Sequence, residues 1–184
     1  MASHRRLPAR TSRVPLGRTQ QQMLLRDWLL HADSLTARIR ARCRHFDVRV
    51  LRQGPASASL LERQAGIAGV ALHVREVLLV ADDVPVVWAR TVLQRRGLAG
   101  PWYFLRHLGT RPLGARLFTD ARIRRDRFVY LAHTQWPAGM RRQCLGPRPL
   151  AAGRTVRLVR GGRLAVLTEV LLPGVLALPR VESV

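Results

Sequence analysis

The sequence predicts an α+β domain: a mostly antiparallel sheet with helices in its connections. Three observations carry this expectation. Apolar residues alternate with period two at Phe46 to Leu51, two pairs of strand-length apolar segments flank tight-turn dipeptides at Asp82-Asp83 and Gly161-Gly162, and helical spacing is confined to short stretches. With 184 residues, 47% of them apolar, the chain has enough material for one compact core. No internal repeat is visible.

Taken in order, residues 1–18 hold Pro, Arg and Ser without periodicity and are expected to be a loose basic arm, leaving 19–184 as a single domain. Met23, Leu24, Trp28 and Leu29 recur at helical spacing and predict a helix over Thr19 to Leu30, with Trp28 in the core. A second helix starts at Asp33 or Ser34, both good N-caps, and runs through Leu35, Ile39 and Cys43. Phe46 to Leu51 alternates as a half-buried strand, and a short helix fits around Leu60 to Gln64. Two strands follow, Val70 to Ala81 and Val86 to Leu93. Pro101 to Leu108 and Pro112 to Phe118 can each form a helix with proline at the first position, and Arg127 to Leu131 a strand. Residues 133–153, rich in Pro and Gly, read as a long surface loop. A hairpin of Thr155 to Val159 and Leu164 to Leu172 ends the pattern, its Gly161-Gly162 pair suited to the positive φ angles of a two-residue turn.

The formal net charge is +21, and all 32 basic residues are arginine. Such a balance raises a nucleic-acid partner first. The arginines are scattered over every element rather than gathered on one arm or face, which argues against that partner and for solvated surface charge. No apolar run approaches a membrane span, because Leu164 to Leu178 is broken by Glu169, Pro173 and Gly174. The basic start is followed by no apolar h-region, so a secretory signal is not expected, and Cys43 and Cys144 make no disulfide framework. A cytoplasmic protein with reduced thiols, acting as a monomer, is the expectation. The six histidines show no ligand spacing with Cys or carboxylates, so no metal is expected. Phosphate-binding glycine loops and the G-x-S-x-G elbow are also missing.

Two arginines stand in the middle of the apolar strands of ALHVREVLLVADDVPVVWARTVL, residues 71–93. If Asp82-Asp83 is a two-residue loop, Arg75 lies directly opposite Arg90; any even loop keeps both guanidiniums on one face, whereas an odd loop or a bulge separates them. Arginine does not shed its proton, and two unit charges ~8 Å apart at an effective dielectric of ~20 repel by about 2 kcal/mol. Something anionic should sit between them. Asp82, Asp83 or Glu169 could supply an internal carboxylate, or one arginine could snorkel to water at a sheet edge; the functional alternative is a small molecule rich in carboxylates, held by bidentate pairing. Glu169 is the second oddity, since it shares a strand face with Ala165, Leu167 and Leu171. A buried carboxylate there needs a partner, either an arginine in a plain salt bridge or a substrate hydroxyl.

Four blocks in order, RDWLLHADSLTARI (26–39), VREVLLVADDVPVVWARTVL (74–93), LGTRPLGARLF (108–118) and LAVLTEVLLPG (164–174), resemble the chorismate pyruvate-lyase family of ubiquinone biosynthesis. The match spans about Leu25 to Pro173. The resemblance implies a chorismate lyase-like sheet whose internal ligand site is covered by helical flaps, and a cofactor-free conversion of chorismate into 4-hydroxybenzoate and pyruvate. By resemblance, Arg75 binds a carboxylate and Glu169 meets the 4-hydroxyl; Leu35 and Leu113 offer backbone or packing contacts, and Arg90 lies near the same pocket. Chorismate carries two carboxylates, which would occupy both arginines. Leu35 and His73 depart from the residues usual in the family, Met and an aromatic, and the loop from Pro137 to about Ala151 looks like an insertion. The rival reading is a ligand-sensing domain of similar fold without catalysis. Such domains normally follow a winged helix, for which residues 1–18 are too short.

Overall fold

The computed structural model describes residues 19–30, 34–131 and 152–179. The arm at 1–18, the alternative N-cap Asp33, Cys144 and nearly all of the loop at 133–153 lie outside the described residues. Seven antiparallel strands form one sheet: β1 (Phe46–Ala56), β2 (Leu72–Ala81), β3 (Val84–Gln94), β4 (Ile123–Arg125), β5 (Val129–Leu131), β6 (Ala152–Arg160) and β7 (Arg163–Leu171). Their order is β1-β2-β3-β7-β6-β4, with β5 pairing alongside β6. The expected α+β class is therefore observed.

Helices α1 (Gln20–Leu30), α2 (Leu35–Arg40) and α5 (Leu113–Thr119) cover one face of this sheet; α3 (Leu60–Gln64) covers part of the other, and α4 (Arg95–Leu98) closes β3. Ser34 caps α2 by accepting from the Ala37 N–H, and Ser59 and Glu62 form a reciprocal capping box on α3. Leu25, Trp28, Leu29, Leu35 and Ile39 pack against Val48, Val77, Leu79 and Leu171. Farther along the same face, Leu105, Leu108, Leu113 and Leu117 meet Leu93, Val156, Leu158 and Leu167. Each such side chain contributes about 1.5–3 kcal/mol when fully buried, so the helices are held mainly by this packing. The segment expected as a helix after Pro101 is a 3₁₀ turn, Tyr103–His107. The second helix stops at Arg40, short of Cys43.

Both hairpin turns form as the residues require. Asp82 and Asp83 take φ of 46° and 65°, Gly161 and Gly162 take 52° and 70°, the left-handed pair of a two-residue hairpin loop. Beyond the first turn, however, the register slips. Ala81 pairs with Val84 and Val80 with Pro85, but Leu79 pairs with Val87, so Val86 is an extra residue in β3. From there Arg75 faces Thr91, and Arg90 faces Glu76. Because side chains alternate with period two, this bulge turns Arg90 to the face opposite Arg75. The same-face expectation for the two arginines is thus corrected, by the bulge that a loop count alone does not reveal.

On its own face Arg90 is 7% exposed and fully partnered. Nε donates to Glu62 Oε1 at 2.7 Å, Nη2 to Glu62 Oε2 at 3.3 Å and to the Ser57 carbonyl at 3.0 Å, and Nη1 to Glu76. Burial opposes its charge, but the hydrogen bonds and attraction of Glu62 and Glu76 outweigh that and raise its pKa. The triad ties α3 to the centre of the sheet. Arg90→Met strands two buried carboxylates, and a loss of about 3–5 kcal/mol is expected in urea unfolding; a loss under about 1 kcal/mol would contradict the triad's role.

Candidate active site

On the helix-covered face, two neighbouring rows of side chains cross the sheet. Arg75, Thr91, Leu167 and Val156 form one row, and Val77, Ala89, Glu169 and Arg154 the next. Arg75 and Glu169 are therefore on β2 and β7 with β3 between them, roughly 12 Å apart at their Cα atoms by standard strand spacing. The intervening β3 carries Thr91 and Ala89, small side chains that leave room above the sheet. Over this gap sit the first residues of α2 and α5. They meet closely: a Cβ on Gly114 would lie 2.7 Å from the Thr36 hydroxyl.

The enclosed space has two lobes. The first is lined by Arg75, Val77, Ala89, Thr91, Leu113 and Glu169 among others, the second by Leu35, Leu117, Phe128, Arg154, Val156 and Glu169 among others. Thr36, Gly114, Leu167 and Glu169 border both, so the lobes adjoin. The volume open to water centres is about 20 Å³ in the first and about 10 Å³ in the second, room for about one water each. As it stands, neither lobe has room for a six-membered ring.

Arg75 is 4% exposed. Nη2 donates to the Gly109 carbonyl at 2.7 Å and, more weakly, to that of Arg111 at 3.4 Å, while the buried Nε has no partner among the described residues. No described carboxylate lies within salt-bridge distance of it. Burial alone pulls its pKa down, with no carboxylate to oppose the effect; the guanidinium nevertheless stays charged. Arg75 and Arg90 are thus the same residue type on one hairpin in opposite states, the second satisfied and the first uncompensated.

Glu169 accepts from Arg154 Nε at 2.7 Å. Arg154, only 2% exposed, also donates to the Leu29 carbonyl at the end of α1 and lies 4.0 Å over the Phe128 ring. The sequence expectation of an arginine beside Glu169 is met by a residue it did not single out. Arg154 had a legible signal, since it shares strand parity with Val156 and Leu158. It was passed over because the strand was expected to start at Thr155, whereas β6 begins at Ala152. Thr36 and Gly114 carried no such signal. Of the five residues singled out, Arg75, Glu169, Leu35 and Leu113 line the two lobes, and Arg90 does not.

The chorismate lyase family profile matches residues 15–177. The chain belongs to the chorismate lyase family. A relative from Aromatoleum aromaticum, named "Probable chorismate pyruvate-lyase", is 44% identical over 168 residues, covering 84% of this chain and 88% of the relative. "Chorismate pyruvate-lyase" of Salmonella arizonae is 35% identical over 153 residues, covering 81% and 82%. Among solved structures, PhnF from Mycobacterium smegmatis aligns with a TM-score of 0.51 at 17% identity, over 79% of this chain and 66% of that one. The C-terminal domain of the histidine utilization repressor from Pseudomonas syringae gives 0.50 at 16%, over 76% and 98%. These two likenesses concern the fold alone. The expected family and class, a lyase, are those of the matched relatives. Among the described residues no helix is long and apolar enough to cross a membrane.

The isolated state of Arg75 has a thermodynamic consequence. Arg75→Met replaces an uncompensated buried cation with an apolar chain of similar length, so its melting temperature is expected to equal or exceed that of the unaltered protein. A loss above about 2 kcal/mol in urea unfolding would mean that the guanidinium has an internal partner of real weight.

Proposed function

We propose that the protein converts chorismate into 4-hydroxybenzoate and pyruvate, without a cofactor, as the first committed step toward ubiquinone in the cytoplasm. The observation that carries this reading is the uncompensated buried Arg75 facing the same enclosed space as Glu169. A ring with a carboxylate at one end and a hydroxyl para to it fits that polarity: the carboxylate supplies the missing charge for Arg75, and Glu169 accepts from the hydroxyl. In the net reaction the ether bond between the ring and the enolpyruvyl oxygen breaks. The hydroxyl-bearing ring carbon loses one hydrogen, the enolpyruvyl methylene gains one to become the methyl of pyruvate, and the ring becomes aromatic. No oxidant or reductant is required.

The protein's contribution is then positional and electrostatic. Arg75 fixes the ring carboxylate, Glu169 fixes the hydroxyl, and Leu35 and Leu113 pack against the ring or offer backbone contacts. The helices exclude water, which strengthens each of these interactions. The rival reading, carboxylate sensing without turnover, draws on the likeness in fold to the two regulators.

Incubation with chorismate, followed by chromatography, is expected to yield 4-hydroxybenzoate and pyruvate in equal amounts. Arg75→Ala and Glu169→Ala are each expected to lose about 100-fold or more in kcat/KM while remaining folded. Binding of chorismate without turnover would favour the sensing reading, and wild-type rates in either variant would remove that residue from the mechanism.

A further inference from the structure

Placing Arg90 on the opposite face leaves a dicarboxylate with one cation, Arg75, in the first lobe. In chorismate the enolpyruvyl ether is attached to the ring carbon next to the one bearing the hydroxyl. If that hydroxyl meets Glu169, the second carboxylate lies on the Glu169 side of the ring, away from Arg75, and there it would face a negative side chain unless a cation stands nearby. The second lobe begins at Glu169 and is the part of the enclosure where further cations are found. Arg154 forms its base, already paired with Glu169 and stacked on Phe128. Arg125, on β4 and itself exposed, stands at the solvent-open rim of the same lobe; its guanidinium lies 4.3 Å over the Phe118 ring and 5.9 Å from that of Phe128. Its strand partner Leu158 shares the site-facing parity of Arg154 and Val156, which directs Arg125 to the helix-covered face. Aromatic faces hold a guanidinium in place without satisfying its N–H groups, which leaves their donors for an anion. No salt bridge to Arg125 exists among the described residues.

We propose that the lobe between Phe118, Phe128, Arg154 and Arg125 receives the enolpyruvyl carboxylate of chorismate, with Arg125 as the substrate-binding cation at its outer end and Arg154 as the positioning residue at its base. This assignment rests on the lyase reading above and makes a demand that reading alone does not. The lobe recognises the part of the substrate that departs as pyruvate, so Arg125 acts on chorismate and not on 4-hydroxybenzoate. Arg154, which also touches Glu169, acts on both.

The experiment measures steady-state kinetics on chorismate, and 4-hydroxybenzoate affinity by calorimetry, for the unaltered protein, Arg125→Gln and Arg125→Lys. Circular dichroism serves as the folding control. Arg125→Gln is expected to raise KM for chorismate about tenfold, the weight of one charge-assisted contact, with 4-hydroxybenzoate affinity within about twofold. Arg125→Lys is expected to recover part of the loss, and pyruvate is expected to inhibit Arg125→Gln more weakly than the unaltered protein. Turnover in which Arg125→Gln keeps the unaltered KM, or loses affinity for chorismate and 4-hydroxybenzoate in parallel, would overturn the assignment and leave the lyase reading intact. No turnover by the unaltered protein would overturn both.

Discussion

A guanidinium that cannot shed its proton, buried on a sheet face without a counter-charge among the described residues, is the constraint around which this molecule is arranged. Among the described residues Arg75 has two carbonyl contacts and an unpartnered Nε where Arg90, fifteen residues on in the same hairpin, has two carboxylates. The desolvation of an ion costs several kcal/mol in practice, and a native fold retains such a cost when the charge serves something outside the fold. The bulge at Val86 creates the contrast: it turns Arg90 into a closed structural triad on one face and leaves Arg75 on the other.

The cations of the site also hold its cover. Arg75 donates to the carbonyls of Gly109 and Arg111, in the segment that leads into α5, and Arg154 donates to the Leu29 carbonyl in the last turn of α1. Each such contact is worth on the order of 1 kcal/mol net, or somewhat more for a charged donor. Under the proposed function, a carboxylate bound at Arg75 would compete with those carbonyls for the same donors. With room for about one water in each lobe, the space beneath α2 and α5 does not hold a ring as it stands, and Thr36 lies against Gly114 where the two helices meet.

Much of this was legible in the sequence because it depends on local chemistry. Apolar runs on either side of the Asp-Asp and Gly-Gly pairs located β2, β3, β6 and β7 together with both turns, and Ser34 marked a helix start. The four family blocks pointed to Arg75 and Glu169, and the sheet register then brought both to one face. What was not legible depends on pairing across strands. The bulge at Val86 leaves no mark in composition, so Arg90 was assigned to the wrong face. Glu62 reaches Arg90 from a helix separated from it by 28 residues, a partnership that periodicity does not encode. Arg154 was hidden by a strand boundary drawn three residues too late, at the edge of the Pro- and Gly-rich segment. The short strand β4 and helix α4 were missed for lack of any periodic signal in so few residues.

The central claim is that a ligand carboxylate supplies the charge Arg75 lacks. Calorimetric titration of the unaltered protein with 4-hydroxybenzoate and with 4-hydroxybenzamide, alike in shape but without the charge, tests it most directly. The account predicts that the acid binds about 100-fold more tightly than the amide, near 2.7 kcal/mol, and that this preference disappears in Arg75→Met. Equal affinity for the two compounds, or a preference that survives the loss of Arg75, would contradict it.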